Sequence, residues 1–184
     1  MTEYVTLDGV MEAPNRWSFP FWNDEAARFK FDELFASDAL LLGRVTYEGF
    51  AKAWPSMTDE QGFAARMNNI PKFVASNTLE MVEWNNSTLL KGDVAEEVVR
   101  LKSQPGRDLL LAGSADLAST LIQHDLIDEY RLMVHPVAVG AGKRLFRDGT
   151  KAALQLVETN TFSSGIVVLY YVPARKEELP STSA

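Results

Sequence analysis

Two short apolar segments of the chain each run through a glycine directly into a stretch that favours helix. The first covers residues 39–42 and continues through Gly43, and the second covers residues 109–112 and continues through Gly113. Apolar runs of this length predict buried strands, and strands that alternate with helices form a parallel sheet covered by helices. At such turns the helix N–H groups point toward one spot, and glycine lets an anion approach the backbone closely. The pattern predicts an α/β fold that holds a phosphorylated ligand at two turns.

The rest of the chain continues this alternation and then ends differently. Further strands are expected at residues 4–7, 72–76 and 129–134, with a short one at 81–84, and residues 58–69 look like an exposed helix or a lid. Residues 157–162 and 166–172 flank a Ser-Ser-Gly turn, which predicts an antiparallel hairpin. We therefore expect a three-layer αβα fold with a mostly parallel, twisted sheet, helices on both faces and a C-terminal hairpin. We interpret residues 1–173 as one domain and residues 174–184 as a polar tail.

Composition narrows the chemistry. The chain of 184 residues has no cysteine, which excludes disulfides, thiolate metal sites and cysteine nucleophiles. Its net charge of −7 argues against nucleic acid as a partner. His124 and His135 have no ligand spacing, so we expect no metal site. Without a signal peptide or an apolar run long enough to span a membrane, we expect a cytoplasmic protein that does not bind membranes.

Four motifs stand in a recognisable order along the chain. They are Thr6-Leu7-Asp8-Gly9, Leu42-Gly43-Arg44-Val45-Thr46-Tyr47-Glu48, Ala112-Gly113-Ser114, and the stretch from His135-Pro136 to Gly140-Ala141-Gly142-Lys143-Arg144-Leu145-Phe146. Together, over roughly residues 4–172, they resemble the dihydrofolate-reductase-like proteins of the bacterial riboflavin reductase C-terminal domain type.

The resemblance implies an NADPH-binding fold, often homodimeric, that reduces a small pyrimidine- or pterin-like substrate. The reductase of 5-amino-6-(5-phosphoribosylamino)uracil in riboflavin biosynthesis is the activity it points to. By position, the first glycine turn would hold the adenosine-side phosphates and the second would hold the pyrophosphate. The cofactor-binding residues implied in this way are Gly43, Arg44, Val45, Thr46, Ser76, Gly113, Ser114 and Leu117.

Other side chains suggest how a substrate would be bound and protonated. Asp8 is the acid nearest the expected nicotinamide end, so it is a candidate proton relay or substrate contact, although it could also only shape a turn. Trp17 and Trp22 could form an apolar platform for a flat ring or belong to the core. Lys143 and Arg144 could contact a substrate phosphate or form a solvated basic pair.

One departure from the family pattern bears on the substrate. Folate-reducing relatives place a carboxylate on the helix after the aromatic loop, and an alignment without gaps puts Ala27 there. Asp24 and Glu25 lie about a turn away. The sequence therefore disfavours dihydrofolate as the substrate. A protein that binds a nucleotide or flavin without catalysis stays open as the alternative to a reductase.

Overall fold

Strands and helices alternate along residues 1–174, the part of the chain that this computed structural model describes. The strands are β1 (Thr2–Thr6), β2 (Ser37–Gly43), β3 (Lys72–Ala75), β4 (Ser87–Leu90), β5 (Asp108–Leu111), β6 (Tyr130–His135), β7 (Leu154–Thr161) and β8 (Val167–Pro173). The α-helices are α1 (Asp24–Ala36), α2 (Arg44–Ala53), α3 (Phe63–Asn69), α4 (Val94–Lys102) and α5 (Ala115–Gln123). Of the predicted polar tail, residues 175–184 lie outside the described part.

The strands form two four-stranded sheets that meet at their edges. One has the order β4-β3-β2-β5 and is entirely parallel. In the other, of order β1-β6-β8-β7, β1 and β6 are parallel while β6, β8 and β7 are antiparallel. A single parallel bridge between Thr2 and Ala112 joins them. The predicted mostly parallel sheet with a C-terminal antiparallel hairpin is thus confirmed.

Side chains of β2 point alternately to the two faces of the sheet, as the pleat requires. Leu41 packs in one core with apolar residues of α4 and α5. Leu40 and Leu42 pack on the opposite face with residues of α1, α2 and α3. Helices therefore cover both faces, and the three-layer prediction is confirmed.

The strand expected at residues 81–84 is wrong, because the strand of this region is β4, which pairs with β3. The N–H of Trp84 bonds instead to the hydroxyl of Tyr47 at 3.0 Å. The Trp84 ring lies 4.1 Å from the ammonium of Lys72, which is 1% exposed and donates to three backbone carbonyl oxygens. Covering this buried cation requires Trp84 to leave the sheet.

The carboxyl ends of the parallel strands meet at one edge. Thr6 is paired with His135, Gly43 with Ala75, and Leu41 with Leu111. Both glycine turns and the turn after β1 therefore open at the same edge, where ligands of open α/β sheets bind. None of the helices within residues 1–174 is long and apolar enough to cross a membrane.

Candidate functional site

The two glycine turns are in direct contact. The backbone N–H of Gly43 donates to the Ser114 hydroxyl oxygen at 2.8 Å. A Cβ atom on Gly43 would lie 3.2 Å from the Cβ of Ser114, and one on Gly113 would lie 3.1 Å from Oγ1 of Thr46. Each glycine is therefore needed for the close approach of the opposite turn.

The second turn leaves the N-terminus of α5 without a side-chain cap. Gly113 and Ser114 have φ of +58° and +70°, in the left-handed region. The Ser114 hydroxyl donates to the carbonyl oxygen of Ala112 and accepts from Gly43, and no side chain of the described residues caps α5. Leu117 is 6% exposed and supports the turn from the core. The first N–H groups of α5 are thus available to an anion.

The first turn places Arg44 and Val45 at the start of α2. The Arg44 guanidinium bonds to the carboxylate of Glu48 at 3.0 Å, and both side chains are about half exposed. Val45 is 68% exposed at the rim, whereas Thr46 faces Gly113. No side chain among the described residues caps this helix either. Arg44 therefore lies beside a second uncapped helix N-terminus, although its present partner is a carboxylate.

Ser76 follows directly after Ala75, the residue paired with Gly43, and so lies next to the first turn. Its hydroxyl oxygen accepts from the backbone N–H groups of Thr78 at 3.1 Å and Leu79 at 3.0 Å. These contacts give Ser76 a local turn-forming role. Its contact with a cofactor stays a prediction.

Basic side chains of the loop after β6 reach two different parts of the edge. Lys143 bonds at 3.1 Å to Asp116 in the first turn of α5, and Arg147 bonds to the same carboxylate. Arg144 instead donates to the backbone oxygen of Asp8 at 3.0 Å. The predicted pair is therefore divided, with Lys143 beside the second glycine turn and Arg144 beside the turn after β1. The position of Arg147 could not be predicted from the sequence, because its partner Asp116 is 31 residues away.

Asp8 holds the loop that faces it. Its carboxylate accepts from the Thr6 hydroxyl at 2.5 Å and from the N–H groups of Gly140 at 2.8 Å and Val139 at 3.2 Å. The Thr6 hydroxyl, followed by the Gly140 N–H, lowers the pKa of Asp8 to about 2. At neutral pH the group is a carboxylate, which accepts hydrogen bonds and has no proton to give.

An aromatic group lies behind the turn after β1. Trp17 is 8% exposed, and its indole N–H donates to the carbonyl oxygen of Glu12 at 3.0 Å. Its ring meets that of His135 edge-on, with 5.1 Å between centroids. Trp22 is 42% exposed and lies 6.3 Å from Tyr4. Trp22 is therefore accessible to a ligand ring, whereas Trp17 is part of an aromatic cluster.

A cavity of about 460 Å³ lies between the loop after β1 and the loop after β6. Its wall combines one carboxylate, one guanidinium and several apolar groups. The lining residues are Glu12, Ala13, Arg16, Trp17, Val139 and Ala141. A larger cavity of about 870 Å³ lies on the outer side of α2, among residues such as Lys52, Asn68 and Trp84, and not at the glycine turns.

The first turn of α1 carries two carboxylates beside Ala27, those of Asp24 and Glu25. Glu25 accepts from the backbone N–H of Ser163 at 2.6 Å and from the Asn23 side chain at 3.0 Å. It thus ties α1 to the C-terminal hairpin. Asp24 is exposed. Within residues 1–174 no group of three or more histidine or acidic side chains is arranged to hold a metal ion.

Known proteins with similar sequences and folds agree with this architecture. Residues 1–168 match the family model of the RibD C-terminal domain. The uncharacterized protein YyaP of Bacillus subtilis is 36% identical over 171 residues, which cover 91% of this chain and 90% of that protein.

Solved structures show the same fold at low identity. A Shewanella sp. PV-4 protein named for riboflavin biosynthesis superposes with a TM-score of 0.76 at 20% identity, over 95% of this chain and 97% of the other. Dihydrofolate reductase of Enterococcus faecalis, in a complex with NADP(H), gives 0.63 at 14% identity, covering 95% of each chain. The deaminase/5-amino-6-(5-phosphoribosylamino)uracil reductase of Thermotoga maritima gives 0.62 at 19% identity, over 94% of this chain and 55% of that one.

Proposed function

The chain belongs to the RibD C-terminal domain family, and we propose that it is an NADPH-dependent reductase of a small pyrimidine- or pterin-like heterocycle. The observation that carries this proposal is the contact between Gly43 and Ser114, which brings two uncapped helix N-termini together at one edge. Such an arrangement suits a ligand with several phosphates along its length, as a dinucleotide has.

The residues of both turns fit this cofactor. A Cβ on Gly113 would press against Thr46 of the first turn, and Gly113 and Ser114 both have left-handed φ at the start of α5. In the proposal Gly113 and Ser114 hold the pyrophosphate, with Lys143 and Arg147 beside it. Arg44 and Ser76 contact the adenosine-side phosphates, for which Arg44 must exchange Glu48 for a phosphate oxygen. Thr46 and Leu117 keep the two turns packed.

When bound, the cofactor would supply a hydride. The aromatic side chains behind the turn after β1 keep water from the reacting ring. Asp8 enters as an ionised carboxylate, so its role is to hold Val139 and Gly140 over the site and not to donate the proton. A solvent water molecule would then provide the proton.

For the substrate we propose a compound similar to 5-amino-6-(5-phosphoribosylamino)uracil, the compound named for the Thermotoga maritima enzyme of the same fold. Arg144 lies beside Asp8 and Arg16 lines the neighbouring cavity, so both could meet an anionic substituent of the ring. Trp22, exposed at the rim, would cover a flat ring.

A homodimer is also part of the proposal. Among residues 1–174, β7 pairs only with β8 and forms an edge of its sheet, where Leu156 and Val157 are 48% and 62% exposed. An exposed edge strand of eight residues that carries adjacent apolar side chains is a surface that natural proteins usually cover. A second copy of the chain would cover it.

A non-catalytic nucleotide-binding protein is the second candidate, favoured by the low pKa of Asp8, which removes the nearest proton donor. Calorimetric titration of NADPH, followed by its oxidation in the presence of the ribosylaminopyrimidine, separates the two. Binding with turnover supports the reductase, and binding without turnover of this or other pyrimidines and pterins supports the alternative. Absence of NADPH binding contradicts the proposed function.

A further inference from the structure

His135 is a fully buried imidazole at the carboxyl end of β6, and its tautomer can be assigned from its neighbours. Its side chain is 0% exposed, and Nδ1 lies 2.9 Å from the carbonyl oxygen of Met133. A carbonyl oxygen only accepts, so Nδ1 carries the proton. Burial lowers the pKa of His135, although backbone hydrogen bonds with Met133 and Val5 oppose the shift, and the ring is neutral. The other nitrogen, Nε2, therefore presents a lone pair.

That lone pair has no hydrogen-bond partner among residues 1–174. The rings around the imidazole come from β1 and from the loop between β1 and α1: Tyr4 at 5.2 Å, Trp17 at 5.1 Å and Phe21 at 6.2 Å between centroids. A buried acceptor without a partner is costly, and such an exception calls for a donor, either a buried water molecule or a group of a bound ligand. A ligand that placed a lone pair opposite Nε2 would be repelled, so the lone pair of Nε2 selects ligands that carry a hydrogen-bond donor at that point.

Trp17 packs against His135 and also lines the cavity of about 460 Å³. The indole is held by one hydrogen bond, to the carbonyl oxygen of Glu12. Between these two residues Ala13 has φ +48°, a left-handed conformation that is unfavourable for alanine. This segment can release strain when it changes conformation. The loop therefore has a place at which it could turn Trp17 away from the imidazole.

We propose that Nε2 of His135 accepts a hydrogen bond from a ring N–H of the heterocyclic substrate, with Trp17 displaced to admit the ring edge. The inference rests on the proposed function and narrows its substrate class. A uracil-like ring with unsubstituted ring nitrogens satisfies the acceptor. A ring whose nitrogens are alkylated leaves it unpaired, and sites built for a substrate N–H reject such analogues strongly.

Two small molecules separate these cases: 5,6-diaminouracil, and its 1,3-dimethyl derivative, which lacks both ring N–H groups. Their affinities are measured by calorimetry with the full chain, with and without NADPH. We expect the wild type to prefer the unmethylated ring by at least about tenfold. His135→Asn keeps a donor toward Met133 but has no acceptor at the Nε2 position, and the preference should fall to about twofold or less. His135→Gln retains an acceptor at the Nε2 position and should keep part of the preference for the unmethylated ring. If His135 only supported the fold, the two variants would not differ in this preference.

Nitrogen NMR gives a readout that does not depend on activity. In a His124→Gln background, where His135 is the one remaining histidine, the Nε2 resonance should show an unprotonated nitrogen and should move when 5,6-diaminouracil is added. Circular dichroism checks that each variant is folded.

Several outcomes overturn the inference: a protonated Nε2, an Nε2 signal unchanged by a bound probe, equal affinity for the two probes, or binding of neither. An Nε2 signal already typical of a hydrogen bond without the probe identifies a buried water as its partner and also contradicts it. If the wild-type chain binds the probes but not NADPH, the proposed function is contradicted, while the preference between the two probes can still be measured.

Discussion

The hydroxyl oxygen of Ser114 accepts a hydrogen bond from the backbone N–H of Gly43 at 2.8 Å and so joins two turns that lie 71 residues apart. Because the hydroxyl is used between the turns, it does not cap α5. The same bond fixes the distance between the N-termini of α2 and α5. Any ligand that spans the two turns therefore meets a preformed site, and substitutions in either turn should affect it without unfolding the chain.

Gly113→Val should abolish NADPH binding while the fold is largely retained. The valine would stand where the pyrophosphate is proposed to meet the backbone, and its Cβ would lie 3.1 Å from Thr46. It would also adopt φ near +58°, a strain of about 1–3 kcal/mol. Gly62→Val is the matched control, since φ is +83° there and nothing lies within 4 Å of a Cβ. The control should lose stability but keep its affinity in calorimetry. An NADPH affinity unchanged in folded Gly113→Val contradicts the pyrophosphate assignment.

Arg44→Ala should weaken the binding of NADPH by about 1.5–3 kcal/mol, the range for hydrogen bonds to charged groups. It should weaken the binding of NADH, which lacks the 2′-phosphate, much less. The competing pair with Glu48 is exposed, and such pairs contribute about 0–1 kcal/mol. Glu48→Gln should therefore leave NADPH affinity equal or slightly higher. Arg28→Ala removes a guanidinium from a similar exposed pair on α1, with Asp32 at 3.0 Å, and should change neither affinity. Equal weakening of both cofactors would instead place Arg44 at a phosphate that they share.

How much of this site the sequence predicts depends on how local each feature is. The turns at Gly43 and Gly113 follow from apolar runs and glycines that are neighbours in the chain, and the structure has them where they are expected. The strand placed at residues 81–84 was wrong because the apolar residues there include Trp84, which covers Lys72. Nothing near Lys72 in sequence reveals that it is buried.

The features that sequence analysis missed are long-range contacts. His135 is one histidine in an apolar strand, and its significance comes from Tyr4, Trp17 and Phe21, which other segments bring to it. Arg147 gains its position through Asp116 in a different element. Asp8 was correctly placed near the edge, but its hydrogen bonds to residues 139–140 could not be foreseen from spacing.

Glu3→Gln should change how stability depends on pH. Glu3 is 1% exposed in β1, and burial raises its pKa well above the usual range, while the N-terminal ammonium and Lys30 oppose the shift. Above about pH 4.3 the unfolded chain loses this proton but the folded chain keeps it. The free energy of unfolding contributed by Glu3 therefore falls as pH rises from there toward the raised pKa. Glutamine stays neutral, so the variant should gain stability relative to wild type across this range.

Urea unfolding at a series of pH values measures the effect, and the difference between variant and wild type isolates Glu3 from other titrating groups. Glu60→Gln, at an exposed position, is the control and should show little difference. A Glu3→Gln difference that does not grow with pH would show that the carboxyl ionises as readily in the folded chain as in the unfolded one.

The protein should be a homodimer in solution. Light scattering at micromolar concentration should give about twice the chain mass of 20.5 kDa. Val157→Lys introduces a charge on the exposed edge strand and should shift the mass toward one chain, whereas Val99→Lys, at a 53% exposed position on α4, should not. A wild-type mass near 20.5 kDa contradicts the dimer. If Val157→Lys dimerises as strongly as the wild type, the interface lies on a surface other than β7.

Dihydrofolate should be reduced very slowly or not at all. The alignment without gaps predicts that Ala27 stands where folate-reducing relatives have a carboxylate, and the neighbouring Glu25 is bound to Ser163 of the hairpin. Unpaired N–H groups of the pterin ring would cost about 1–3 kcal/mol in binding. Lost assistance to proton transfer would slow the reaction by a further ~10²–10⁴-fold. NADPH oxidation is measured with dihydrofolate and, in parallel, with the ribosylaminopyrimidine of riboflavin synthesis.

Ala27→Asp is the matched variant in this assay. If the gap-free alignment is right, the new carboxylate lies where the pterin edge binds, and dihydrofolate turnover should rise above that of the wild type. Its NADPH affinity should stay unchanged because Ala27 lies on α1 and belongs to neither glycine turn. Brisk dihydrofolate turnover by the wild type would contradict the prediction and show that another carboxylate serves the pterin ring. Asp24 would then be the first to replace, since Glu25 and Asp8 each hold backbone N–H groups of a distant segment.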